Sequence, residues 1–292
     1  LKFGIYVHSK RPKISLNEIL KAVESAGFAY SNRDPDVAIV VGGDGTFGYY
    51  GKKLEIPLLF VGVNDNDILG SKAKLAELSF EDLPKAINDI NSGNYRLDKR
   101  RMFSVSIKHR NNGNQTSIEG ATDILTDIYI ERGIFSRCIR YALSVTIHKT
   151  NNHTLKKFTE YAIGNGVIIS TSFGARGYYS YLDRIMAGKR NANNSIQTFP
   201  DNKLGICHII PIFLVRKLNL GNKKTLIRSS DIRYNVPYQS IIKISLARDE
   251  GVRLYGTTKH SRGLTITSSD EILISPSRRT AKIVRLNHNK YL

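Results

Sequence analysis

The sequence predicts a two-domain protein: an α/β domain with a parallel sheet over residues 1–98, then a strand-rich, largely antiparallel domain over residues 99–292, whose last residues have the option of packing back on the first. Three observations lead there. Apolar strand-like runs alternate with amphipathic helical ones up to about residue 90, the pattern of parallel strands covered on both faces. The texture then changes at Leu97–Arg101 (LDKRR). Beyond it come many short strand-like segments separated by Gly, Asn, Ser and Asp, as expected for antiparallel strands joined by turns. Such a division also places an expected ligand cleft between the two parts.

Lys2–His8 (KFGIYVH) is a β-rich run. In Leu16–Ala26, Leu16, Ile19, Leu20 and Val23 fall on one helical face, with Ser15 as N-cap and Gly27 as the stop. Val37–Val41 is a continuous apolar strand that runs into glycines, and Pro57–Val63 (PLLFVGV) is a third strand of the same buried type. Phe80–Ile90 is a second amphipathic helix with Glu81 and Asp82 at its positively polarised start. The strand-like segments of the second part are Phe103–His109, Ile124–Glu131, Tyr141–His148, Val167–Thr171, Ile206–Val215, Ile241–Leu246 and Ile272–Ser275.

Composition narrows the function. Hydrophobic residues make up 41% and charged residues 24% of 292, close to the average for globular proteins. No stretch reaches the ~20 apolar residues of a membrane span, and the first residues lack the apolar core of a signal peptide. A soluble, cytoplasmic protein is expected. Cys138 and Cys207 are isolated in sequence and read as thiols, not as zinc ligands or a disulfide framework. The 44 Lys and Arg against 25 Asp and Glu give a net charge of +19. That excess attracts anions, whether nucleotides, polyphosphate or nucleic acid. Its spread along the chain disfavours a basic-arm architecture.

One motif carries chemistry. In VAIVVGGDGT (37–46), three glycines surround Asp44 directly after a buried strand. Glycine lets a ligand approach the backbone, and exposed N–H groups of Gly42, Gly43, Gly45 and Thr46 can cradle phosphate. An aspartate there repels phosphate. It makes sense as a group that takes a proton from a hydroxyl or helps hold a divalent metal. The alternative is a tight turn using glycine for geometry and aspartate for a local hydrogen bond. Neither a Walker A nor a G-x-G-x-x-G loop is present.

GGDGT on a strand-to-helix turn is the hallmark of the superfamily of NAD kinases, diacylglycerol kinases and sphingosine kinases, and the rest of the chain resembles its NAD kinase branch. VGVNDNDILG (61–70) is similar to that family's G-[IV]-N-x-G-x-L-G. ATDILTDI (121–128) resembles A-L-N-E-V-V-I, and GNGVIISTSFGARGY (164–178) resembles D-G-[LV]-[IV]-[VI]-S-T-P-[TS]-G-S-T-A-Y. The closing LTITSSDEILISPSRRTAKIVRL resembles the family's last strand pair. The matches run in order from Gly4 to about Leu286. Departures are Thr122-Asp123 for Asn-Glu, Asn165 for Asp, Ser172 and Phe173 for Pro and Thr or Ser, and Gly174-Ala175-Arg176-Gly177-Tyr178 for Gly-Ser-Thr-Ala-Tyr.

The resemblance implies an NAD kinase that moves a phosphoryl group from ATP, or polyphosphate, to the 2′-hydroxyl of the adenosine ribose of NAD(H). It implies Asp44 as the central carboxylate, without a direct metal ligand beyond a possible indirect role for Asp44 with Mg2+ or another divalent cation. It implies phosphate contacts at Gly42, Gly43, Gly45 and Thr46. Asn64, Thr122, Asp123, Asn165, Ser170, Thr171, Arg176 and Tyr178 match positions lining the dinucleotide site. A homo-oligomer, dimer or tetramer, is implied as well, with no membrane contact. Three rival readings stand beside it: another GGDGT kinase acting on a lipid or a different nucleoside, a non-catalytic dinucleotide sensor, and a basic nucleic-acid-binding protein. The last explains the charge and leaves GGDGT without a role.

Overall fold

The computed structural model describes residues 1–10, 12–63, 73–110, 116–133, 137–147, 156–187, 198–220, 223–228, 231–249, 251–257 and 263–287. The chain forms two compact units, one of Leu1–Arg101 with Thr280–Leu292 and one of Met102–Arg279. Among the described residues no helix is long and apolar enough to cross a membrane.

In the first unit, β1 (Lys2–Val7), α1 (Leu16–Ser25), β2 (Ala29–Tyr30), β3 (Val37–Gly42), α2 (Asp44–Lys53), β4 (Leu58–Gly62), β5 (Leu78–Ser79) and α3 (Leu83–Asn91) precede β6 (Tyr95–Arg110). The sheet is parallel, as expected, with β3 between β1 and β4. All six residues of β3 and all five of β4 are buried, which explains their unbroken apolar sequence. Ser15 caps α1 through a capping box: its Oγ accepts from the Glu18 N–H, and the Glu18 carboxylate accepts from the Ser15 N–H. Gly27 ends the helix at φ +81. The second expected helix begins differently, with a 3₁₀ turn over Phe80–Asp82 before α3, whose first turn holds Pro84. Ile19 and Val23 of α1 and Leu83, Ile87 and Ile90 of α3 pack on one core with Phe3, Ile39 and Val61.

That unit is completed by the far end of the chain. The last strand, β19 (Asp270–Leu286), runs parallel to β4 through Ile283 and Leu58. Val284 and Leu286 enter the core. The buried Glu77 carboxylate accepts from the Leu286 N–H at 2.8 Å and from Arg285, whose guanidinium also reaches Asp98.

The second unit contains β7 (Thr116–Ile124), β8 (Asp127–Glu131), β9 (Ile139–Ile147), β10 (Lys156–Gly164), β11 (Gly166–Ser170), α4 (Tyr181–Ala187), β12 (Lys203–Ile209), β13 (Phe213–Leu220), β14 (Lys223–Arg228), β15 (Arg233–Pro237), β16 (Ile241–Leu246), β17 (Val252–Tyr255) and β18 (Leu264–Ile266). One antiparallel sheet runs β14-β13-β10-β9-β16-β19, and the other β15-β12-β11-β8-β17-β18. Leu143, Val145, Ile242 and Ile244 from the first share a core with Ile128, Ile130, Val167, Ile169 and Ile206 from the second, the two facing layers of a sandwich. Two runs expected as single strands are each divided. Ile206–Val215 breaks at Ile210, which sits at φ +43 before Pro211, and Ile124–Glu131 breaks at Leu125-Thr126 between β7 and β8.

A polar cluster lies inside this sandwich. The fully buried Glu160 of β10 accepts from Arg216 at Oε1 (2.7 and 2.9 Å) and from Tyr234 at Oε2 (2.5 Å), and His208 Nε2 lies 2.9 Å from that same Oε2. Tyr141 donates to Gly166 O at 2.8 Å and lies 2.6 Å from His208 Nδ1. The His208 ring thus bridges the Tyr141 hydroxyl and the Glu160 carboxylate. Burial pushes the Glu160 carboxyl up, but the bonds from His208, Tyr234 and Arg216 outweigh it and hold the carboxyl below its ordinary range. A depressed carboxyl stabilises the fold above its unfolded value near ~4.3, and that contribution is lost as pH falls through the folded value. Glu160→Gln is expected to cost about 3 kcal/mol at pH 7. The gap between wild type and variant in urea denaturation should close as pH drops below about 4. A gap that does not change with pH would contradict an ionised Glu160.

Candidate functional site

In the first unit the site begins where β3 stops. Gly42 has φ +152, and a Cβ there would lie 2.9 Å from Thr46 Oγ1, so the chain turns through a position that favours glycine. Gly43 is extended and serves as N-cap of α2, which starts at Asp44. This is the expected strand-to-helix turn. Thr46 is buried and its N–H bonds Gly43 O at 2.9 Å. Of the residues expected to offer N–H groups to phosphate, Thr46 is therefore already engaged. Asp44 and Gly45 begin the helix, where N–H groups lie outside the intrahelical ladder. Gly45 is exposed, with nothing within 4 Å of where a Cβ would sit.

Asp44 is half-buried, and its Oδ1 accepts from the Leu75 N–H at 2.9 Å. Among the described residues its Oδ2 has no hydrogen-bond partner. One oxygen is held by the backbone and one remains available. Asn64 lies outside the described residues.

In the second unit, β11 leads into the S-T-x-x-G segment. Asn165 bridges the flanking strands by its backbone: its N–H donates to Ile209 O and its O accepts from the Arg132 N–H. Ser170 and Thr171 are buried, and both hydroxyls are used internally. Ser170 Oγ donates to Thr171 O, while Thr171 Oγ1 donates to Leu125 O at 2.6 Å and accepts from the Gly174 N–H at 3.1 Å. These side chains, expected as ligand contacts, pin the turn to residues 125–126. A Cβ at Gly174 would lie 2.4 Å from Thr126 O. Gly174→Ala is therefore expected to destabilise the protein by about 2 kcal/mol, read as a lowered melting temperature; an unchanged one would mean that the turn relaxes freely. Arg176, ending a 3₁₀ turn, and Tyr178 are exposed.

The pair Thr122-Asp123 belongs to a different strand pair. Both residues lie on β7, opposite Val105 and Ser104 of β6, and Asp123 faces Arg279 at 3.6 Å. Thr-Asp-Ile occurs twice in ATDILTDI, at 122–124 and at 126–128, and the second copy adjoins the turn. Thr126 O accepts from the Thr171 N–H at 2.8 Å, and Asp127 pairs with Ser170 across β8 and β11. Asp127 Oδ2 is 3.6 Å from where a Cβ on Gly177 would be. The duplicated tripeptide was the signal that sequence reasoning passed over.

Aromatic side chains cluster at Tyr129, two residues along β8 from Asp127. Tyr129 stacks on Tyr255 (4.9 Å, 17°), and Tyr178 meets Tyr129 edge-on (5.2 Å, 87°). The Tyr178 hydroxyl donates to Glu131. Burial, then the charges of Glu131 and Asp127, push the Tyr129 phenol up to about 12. Cys207 is buried and Cys138 half-buried, both free; burial pushes the Cys207 thiol up to about 12, which makes it unreactive.

Fold and loop together define a two-unit protein whose α/β unit carries a GGDGT turn between a buried strand and a helix. Comparison with known proteins narrows it. The chain is 26% identical over 262 residues to the NAD kinase of Lachnoclostridium phytofermentans, covering 89% of this chain and 78% of that one. It is 25% identical over 273 residues to that of Carboxydothermus hydrogenoformans, covering 92% and 81%. No family model matches. Among solved structures, yeast NADH kinase complexed with NADH superimposes with a TM-score of 0.62 at 15% identity, covering 99% of this chain and 84% of that one. An NAD kinase from Archaeoglobus fulgidus in complex with ATP gives 0.57 at 14%, covering 100% and 95%. The chain is thus similar to NAD kinases over most of its length, at 25–26% identity.

Proposed function

We propose that the protein is an NAD kinase, transferring the γ-phosphoryl group of ATP to the 2′-hydroxyl of the adenosine ribose of NAD to give NADP. The observation that carries this reading is Asp44, with Oδ1 held by the Leu75 N–H and Oδ2 unpaired among the described residues, at the start of α2. A carboxylate so placed takes or orients the hydroxyl proton as the oxygen attacks phosphorus. The N–H groups that open α2 receive phosphate oxygens, and Gly42 and Gly43 give the phosphates access to the backbone. Asp127, Tyr178 and Arg176 face the dinucleotide in this reading, and the net charge of +19 favours two polyanionic substrates.

Among the described residues no three His, Cys, Asp or Glu gather as a metal site. The donor set fits Mg2+ held by Asp44, waters and ATP oxygens, as magnesium keeps several waters and phosphate ligands. Held by Asp44, such an ion would supply neutralisation of charge on the transferring phosphate. Polyphosphate is the alternative donor. A homo-oligomer and a cytoplasmic location belong to the same reading.

The test is NADP formation by purified protein from NAD, ATP and magnesium, with polyphosphate in parallel. NADP from either donor supports the kinase. No turnover together with measurable NAD binding would instead favour the dinucleotide sensor, which the exposed Arg176 in place of a small hydroxyl residue supports.

A further inference from the structure

We propose that Tyr129, Tyr255 and Tyr178 form the platform on which the nicotinamide ring stacks, and that the carboxylates beside them make the oxidised, cationic ring the preferred guest. This rests on the kinase reading and names which redox form of the substrate the site selects. The three rings lie on the outer side of the β8–β17 pair, where Tyr129 and Tyr255 stand directly opposite each other. They lie outside the main core of the second unit, and Tyr129 is seated on a smaller buried cluster of Ile168, Ala175, Tyr179 and Cys207. Tyr178 is 38% exposed, and Tyr129 and Tyr255 are half-buried. Three adjacent rings with accessible surface beside a glycine-rich turn suit a flat aromatic guest.

The backbone is built to hold this arrangement. Gly256, at φ +93, follows Tyr255 directly, and a Cβ there would lie 2.6 Å from Asp127 O. Glycine thus lets β17 approach β8 closely at the residue next to the stacked ring. Glu131 fixes Tyr178 by accepting its hydroxyl hydrogen bond.

Charge supplies the discrimination. Asp127 and Glu131 flank Tyr129 on the same face of β8, two residues to either side, since alternate residues of a strand share a face. Arg253 lies opposite Glu131 in register, and its Nη1 lies 3.4 Å from Gly263 O. Tyrosine faces attract a cation, and the two carboxylates add to that attraction. Oxidised nicotinamide carries a positive charge on its ring, whereas the reduced ring carries none.

The experiment measures KM for NAD and for NADH, with the same phosphoryl donor, in wild type and in Tyr255→Leu, Tyr129→Leu, Glu131→Gln and Tyr255→Phe. Wild type should favour NAD by about five-fold. Tyr255→Leu and Tyr129→Leu should bring the two KM values together, chiefly by raising that for NAD. Glu131→Gln should narrow the difference, and Tyr255→Phe, which keeps the ring, should retain it. No preference in wild type, or equal losses for both dinucleotides, would overturn the proposal. If wild type makes no NADP, the kinase reading fails separately. Calorimetric titration of NAD and NADH onto the same variants then tests the platform alone, by the same pattern of affinities. Circular dichroism separates a lost fold from a lost preference.

Discussion

Asp44→Asn should lower kcat for NADP formation by about 10²–10⁴-fold, the span general-base removal covers, with little change in KM for NAD. Asparagine keeps an oxygen to accept the Leu75 N–H that now bonds Oδ1. The turn should therefore survive. What disappears is the capacity to take a proton and the negative charge at the start of α2. The charge at a helix start is worth only about 0.3–1 kcal/mol of stability, so a melting temperature near that of wild type is expected beside the collapse in rate. A kcat within ten-fold of wild type would reduce Asp44 to a turn-forming residue. The split between kcat and KM matters because an interaction made only in the transition state lowers kcat and kcat/KM together.

Asp127→Asn and Asp123→Asn should behave differently although the two aspartates sit in identical tripeptides. Asp127 adjoins the turn that carries Arg176 and Tyr178; in the proposed kinase it faces the dinucleotide, where losing a charge-assisted hydrogen bond would cost about 1.5–3 kcal/mol. Its KM for NAD should therefore rise at least ten-fold. Asp123 faces Arg279, both partly exposed. An ion pair of that kind contributes about 1 kcal/mol or less, so Asp123→Asn should leave KM within two-fold and shift stability slightly. The reverse ranking would return the dinucleotide contact to the first Thr-Asp-Ile copy.

That pair also shows where sequence reading ends. The two copies match the family pattern similarly, and only strand pairing separates them, by setting Thr126-Asp127 beside Ser170-Thr171 and Thr122-Asp123 against β6. By contrast, Val37–Thr46 was legible because a fully buried parallel strand has an unbroken apolar code and a sharp turn after it needs glycine. Strand β10 was not legible. Its inward-facing Glu160 breaks the apolar alternation, and only the partners from β12, β13 and β15 make that charge tolerable. Ser170 and Thr171 show the complementary case, hydroxyls whose residue type fits ligand binding but whose bonds are internal. Ile206–Val215 read as one strand because periodicity carries no sign of a bend, and Pro211 alone marked it.

The return of β19 to the first unit has a consequence during synthesis. Glu77 waits for Arg285 and Leu286, and Leu58 waits for Ile283. More than two hundred residues separate these partners, and a ribosome adding about 5–20 residues per second makes the earlier ones many seconds before the later. The unit that carries Asp44 is thus translated first yet finished last. A nascent chain halted before residue 280 would hold the GGDGT loop in a sheet still lacking its neighbour at β4, a natural substrate for chaperones and for quality-control proteolysis.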